Sequence, residues 1–174
     1  MLTVLMECHD QEAELAQTLA LLVPAAVEGL VGDVAVLDLG SGDGSARIAD
    51  AAGCRFHSDW DLREVLASAR GDWLLLLEAG ARLQPGWIED VLEYVAFNSR
   101  PAQFSLARHY RRPLPARLFA RTPPLEQGLL LPKPLALAAA RSGADLASLA
   151  AGLRPVRLGS ELIPARIVRA AAAG

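Results

Sequence analysis

The sequence has few cysteines, few aromatic residues and no long apolar run. Its two cysteines, Cys8 and Cys54, lie far apart in no CxxC spacing, so neither a disulfide framework nor a zinc site has support and a reducing compartment fits best. No apolar run approaches the ~18 residues of a membrane-spanning helix, which leaves no transmembrane segment to expect. Leu2 to Met6 lacks the basic flank and the length of a secretory leader, so the expected location is cytoplasmic. Aromatics make up 5% of the residues and are not interleaved with clustered basic ones, so nucleic acid is not an expected partner. His9, His57 and His109 have no metal-ligand spacing.

What is present is an apolar, globular composition: 52% hydrophobic and 21% charged residues, with a mean hydropathy of +0.26. A chain of 174 residues fits one domain able to bury roughly 70% of its unfolded surface. The net charge of −3 conceals two unlike halves. Residues 1 to 99 carry 17 acids against 5 arginines, a balance of −12, and residues 100 to 174 carry 12 cations against 3 acids, a balance of +9. Eleven of those twelve cations are arginine, which suits anionic groups such as phosphates and equally suits complementarity between the halves.

The chain is organised around GDWLLLLEAGARLQPGW, Gly71 to Trp87. An uninterrupted apolar run, Trp73 to Leu77, between turn signals is the pattern of a strand covered on both faces, and it is expected at the centre of an α/β sheet. Ligands in such sheets sit beyond the carboxyl ends of the strands, which directs attention to Glu78 to Arg82. Leu2 to Met6 reads as the first strand, with Glu7 to Gln11 a polar turn at its end. Helical spacing of Leu15, Leu19, Leu22 and Val23 predicts a helix over 11–22, stopped before Pro24. Val34 to Leu39 is the second strand, followed by the loop Gly40-Ser41-Gly42-Asp43-Gly44 and a helix from Ser45 to Ala52. A short strand at Arg55 to His57 and helices carrying Leu62 to Ala69 and Ile88 to Val95 continue the alternation, which implies parallel strands with right-handed crossovers. Beyond Asn98 the pattern loosens. Ala102 to Leu106 and Val156 to Leu158 read as strands, 109–124 as an Arg- and Pro-rich loop, and Pro134 to Ala140 and Leu146 to Ala151 as helices. Ala170 to Gly174 reads as a frayed tail.

Two families carry motifs like those of this chain. VLDLGSGDG, Val36 to Gly44, resembles the first motif of class I methyltransferases, in which a Gly-rich turn approaches S-adenosylmethionine; that family also requires an acid ending the next strand, for which Asp59 or Asp61 are the candidates. Five segments in order resemble family 2 glycosyltransferases of the GT-A fold: LTVLMECHDQEAELAQTLALLVP, LDLGSGDGSARIADAAG, ARGDWLLLLEAGARLQPGW, LEQGLLLPKPLALAA and ADLASLAAGLRPVRL. This second resemblance spans the chain. It implies a GT-A-like Rossmannoid α/β sandwich with a mostly parallel central sheet flanked by helices, in a single domain over 1–174, residues 1–99 being the nucleotide-binding half and 100–174 the basic, acceptor-side half.

The glycosyltransferase resemblance also implies site residues. Glu7, Asp10, Asp38, Gly40 and Asp43 stand where the family contacts the base and ribose of a nucleotide-diphospho-sugar. Glu78 stands in the Asp-x-Asp motif that binds a divalent metal, Mn or Mg. Gln127 and Gly128 match the acceptor-side Gly-Asp-Gln-Gly segment, and Asp145 matches the last acid of Glu-Asp-x-Asp, which makes it the candidate catalytic residue. Several positions depart from the pattern: Leu39 replaces the second Asp of a pair, Gly80 replaces the second acid of the metal motif, and Ser142 and Gly143 stand where the Glu and the base are expected. The implied function is transfer of a sugar from a nucleotide-sugar donor to a hydroxyl acceptor, with weakened or lost activity. The alternatives are a catalytically silent paralogue that binds a nucleotide-sugar or a protein, and the methyltransferase. Pairing of copies through a helical face is left open by the sequence.

Overall fold

The computed structural model describes residues 1–107, 123–141 and 143–172. Among the described residues eight strands form one mixed sheet: β1 (Leu2–Cys8), β2 (Val31–Asp38), β3 (Arg55–His57), β4 (Trp73–Glu78), β5 (Arg82–Leu83), β6 (Ala102–Leu106), β7 (Leu129–Pro132) and β8 (Val156–Ile163). Their order is β3-β2-β1-β4-β7-β6-β8-β5. The β3, β2, β1 and β4 run is parallel throughout, β6 pairs parallel with β8, and β7 runs antiparallel to both β4 and β6. The sheet is therefore mixed, mostly parallel, and continuous through both halves of the chain.

The uninterrupted apolar run of β4 has the cause its pattern predicts. Trp73, Leu75 and Leu77 point to one face, with Val4 and Met6 of β1, and pack under α1 (Glu12–Val27), α2 (Ser45–Ala51) and α4 (Trp87–Phe97). Leu74 and Leu76 point to the other face, with Leu5 and Leu37, and pack under α3 (Leu62–Ser68), α5 (Lys133–Ala139) and α6 (Leu146–Ala150). Each buried leucine contributes about 1.5–3 kcal/mol, so both faces of β4 are fixed in register. By the same alternation Glu7, two residues beyond Leu5, and Glu78, two beyond Leu76, emerge on the α6 face at the carboxyl ends of their strands.

Several boundaries differ from the sequence reading. The first helix does not stop before Pro24 but runs through it to Val27. Ala25 is fully buried there, and the end comes at Gly29, whose φ of 77° allows the left-handed closing residue. Glu7 and Cys8 belong to β1 rather than to a turn, because Cys8 pairs with Asp38 in the parallel ladder. β2 starts earlier, at Val31, and β8 runs on to Ile163. Among the described strands the two-residue β5 pairs only with β8. The tail expected to fray forms α7 (Ala165–Ala172) as far as Ala172, seated by buried Ala165 and Val168. Both cysteines are free. His109, most of the 109–124 loop and Ser142 lie outside the described residues.

Candidate functional site at the carboxyl ends of β1, β2 and β4

A cavity of about 290 Å³ opens beyond the ends of β1, β2 and β4, lined among others by Glu7, His9, Leu39, Glu78, Ala147 and Arg169. Glu7 and Glu78 both line it. Glu7 and Glu78 are direct partners in the β1–β4 ladder, so the parallel register sets these two acids side by side. The Leu146 N–H at the start of α6 donates to Glu7 Oε1 at 2.6 Å. Burial raises the pKa of Glu7, the Leu146 bond opposes that rise, and the charge of Asp145 adds to it. Burial also raises Glu78; the Arg169 guanidinium works against it, Glu126 with it, and Arg166 against it. Two half-buried acids above their ordinary range, in one cleft, are the arrangement by which a site tunes a proton acceptor.

These shifts have a stability consequence. A carboxyl raised in the folded state stabilises fully below its ordinary value of 4.5 and loses that contribution as pH rises through the folded value. Glu7→Gln keeps an oxygen for the Leu146 N–H and removes the buried charge. It is expected to melt a few degrees above the wild type at pH 7 and together with it below pH 4.5. Equal melting temperatures at both pH values would show that Glu7 is solvated at no cost.

Beside the cavity the loops after β1 and β2 are tied to each other. Gly42 N–H donates to Asp10 Oδ1 at 2.7 Å and Asp10 N–H donates to Ser41 Oγ at 3.0 Å. Glu12 N–H donates to Asp43 Oδ2 at 2.9 Å and Gly44 N–H to Glu12 Oε2 at 3.2 Å. Asp38, almost fully buried, accepts from Gly40 N–H at 3.2 Å and Ser41 N–H at 3.1 Å. Asp43 Oδ1 accepts from Ser45 N–H at 2.9 Å. Asp10, Asp38, Gly40 and Asp43 thus lie in one pair of loops, where their observed role is to build the loop pair. Asp10 adopts φ 51° to do so. The Gly-rich loop offers its N–H groups to the chain's own carboxylates, not to an incoming anion. The methyltransferase alternative finds no support in this geometry: β3 ends on His57, Asp61 is occupied as the N-cap of α3, accepting from Arg63 N–H at 2.9 Å, and Asp59 is exposed.

The remaining predicted residues sit around the rim or behind it. Asp145 is the N-cap of α6, where it accepts from the hydroxyl of Ser148 and from the Ser148 N–H, the latter at 2.7 Å. These bonds hold its carboxyl below the usual range, the hydroxyl bond most. Gln127 and Gly128 do not line the cavity. The Gln127 carbonyl accepts from Phe104 N–H at 3.1 Å, and its buried Oε1 has no hydrogen-bond partner among the described residues. Gly128 lets β7 approach β4: a Cβ there would lie 3.0 Å from Leu77 Cδ2 and 3.2 Å from the Phe104 ring. Glu78 lines the cavity, and no group of three metal-ligating side chains occurs among the described residues.

Sequence reasoning missed Glu126, Arg166 and Arg169. Glu126, 2% exposed, receives the Arg166 guanidinium, with Nε to Oε1 at 2.6 Å. The signal for Glu126 was available, because it stands at the acid of the Gly-Asp-Gln-Gly segment. The i, i+3 spacing of Arg166 and Arg169 was legible too, though only on a helix.

No protein-family model and no curated protein sequence matches the chain. Solved structures do. Glucosyl-3-phosphoglycerate synthase from Mycobacterium tuberculosis in complex with UDP matches with a TM-score of 0.56 at 20% identity, over 78% of this chain and 57% of that one. The same enzyme with phosphoglyceric acid matches with a TM-score of 0.59 at 20% identity, over 94% and 71%. Mannosyl-3-phosphoglycerate synthase from Rubrobacter xylanophilus matches with a TM-score of 0.59 at 19% identity, over 78% and 54%. Other matching structures of the mycobacterial enzyme hold UDP together with Mn2+ or Mg2+. This chain spans a little over half the length of most of these structures. The fold of this chain is the GT-A fold shared by these sugar transferases.

Proposed function

We propose that this chain is a glycosyltransferase-like domain whose strand-end cavity binds a nucleotide-diphospho-sugar, with residues 1–99 as the nucleotide-binding half and 100–174 as the acceptor-side half. The observation that carries this reading is the placement of Glu7 and Glu78 side by side at the carboxyl ends of β1 and β4, lining a cavity of about 290 Å³ in a GT-A fold. The loop pair built by Asp10, Asp38, Gly40 and Asp43 stands beside this cavity, and His9 and Leu39, which line it, are then the surface against which the nucleoside lies. Glu78, raised by burial, is the better proton acceptor for a hydroxyl, because the Asp145 carboxylate is engaged with Ser148. Gln127 and Gly128 act behind the cavity, by shaping the turn into β7.

A second reading, a silent domain that binds the donor without transferring it, is favoured by the engagement of Asp145 in its cap and by Gly80 at the second position of the metal motif. A thermal-shift panel of UDP, GDP and their sugar conjugates tests binding first. A ligand at 100 times its Kd stabilises by about 2.7 kcal/mol, so one nucleotide should raise Tm by roughly 5–10 °C in a chain of this size. A panel without a shift would overturn the donor reading. Release of free nucleoside diphosphate, present or absent with the nucleotide that binds, then separates transferase from silent binder.

A further inference from the structure

The GT-A resemblance implies a divalent ion held by an Asp-x-Asp pair, and the residues present do not fit one. Glu78 supplies one carboxylate. The position two residues on is Gly80, with φ +93° and its N–H donated to Thr18 Oγ1 at 2.8 Å. A Cβ there would lie 3.1 Å from Glu14 Cγ and 3.2 Å from Glu14 Cβ. A second acid at this point would be strained by the positive φ and would crowd the Glu14 side chain. Hard divalent cations take about six oxygen ligands, and the described residues offer no group of three side chains to begin such a shell.

What faces Glu78 instead is a helix bearing cations. Buried Ala165 and Val168 seat α7 against the core, the Arg166–Glu126 pair locks its first turn, and Arg169 lines the same cavity as Glu78. Arg169 is exposed and forms no salt bridge with a described residue. A guanidinium is permanently charged and presents a planar fork that matches phosphate oxygens two at a time. We infer that Arg169 supplies the fixed positive charge of this site, so that the diphosphate of the ligand is bound without a divalent metal. The inference rests on the donor reading for the nucleotide, but not for the phosphates.

Calorimetric titration of the whole chain with inorganic pyrophosphate and with UDP, each in EDTA and in Mn2+, tests it. Pyrophosphate is expected to bind in EDTA, with Mn2+ changing its affinity by less than about threefold. Arg169→Gln should weaken it by about tenfold or more, as for loss of one charge-assisted contact, at an unchanged melting temperature because the side chain is exposed. Arg169→Lys should recover part of the loss. Binding that requires Mn2+ and disappears in Glu78→Gln would overturn the inference, as would no pyrophosphate binding in EDTA. Pyrophosphate binding without UDP binding would support it while ending the nucleotide reading.

Discussion

Gly80→Asp, which restores the second acid of the Asp-x-Asp pattern, is expected to destabilise the protein and to create no metal site. A non-glycine residue forced into a sparsely populated positive-φ conformation costs about 1–3 kcal/mol, and here the new Cβ also crowds the Glu14 side chain at 3.1 Å. If the loop relaxes instead, the Gly80 N–H leaves Thr18, a side chain 1% exposed, and an unsatisfied buried donor costs about the same. Either route lowers Tm by roughly 3–10 °C. Gly80→Ala should lose most of that stability without adding a charge, which identifies the backbone as the cause. Thermal melts of the two variants, with a Mn2+ titration of the first, decide the matter. Wild-type melting together with tight Mn2+ binding by Gly80→Asp would show that the loop accommodates the motif after all.

Arg166→Met is expected to destabilise the protein substantially. Glu126 is 2% exposed and Arg166 holds its carboxylate. Removing one member of a buried pair costs about 3–5 kcal/mol, and the side chain of Arg166 is 36% exposed, which places the loss at the lower end. Urea unfolding should show the midpoint falling with an unchanged slope. The double variant Arg166→Met with Glu126→Leu should recover much of the loss, since replacing both members by apolar groups is often neutral or stabilising. A single variant as stable as the wild type would mean that α7 is not anchored by this pair.

The residues that fix the fold were readable from their patterns. The five-residue apolar run Trp73 to Leu77 is too short for most helices and lies between turn signals, which favours a strand covered on both faces over a buried helix, and helical stripes such as Ile88 and Val91 mark a face turned to a core. Pro24 misled, because the cost of a proline inside a helix was outweighed by burial of Ala25 and by the late stop at Gly29. The two-residue β5 carries no period at all and exists through β8. Within the site, the sequence located Glu7 and Glu78 but could not show that the parallel register makes them neighbours. The acids Asp10, Asp38 and Asp43 were found by motif, whereas their engagement with N–H groups of the facing loop depends on contacts some thirty residues apart in sequence. Arg169 was missed because the Ala-rich end was read as a frayed tail, whereas buried Ala165 and Val168 seat it as a helix.

Hydrogen exchange with and without the nucleotide that gives the largest thermal shift tests the central claim most directly, because it locates the ligand. The account predicts slowed exchange in the segments carrying Glu7 to Gln11, Leu39 to Gly42 and Glu78 to Gly80, with the groove between α1 and α2, lined by Leu19, Val23 and Ile48, unchanged. Protection confined to that groove, or none at the ends of β1 and β4, would contradict it.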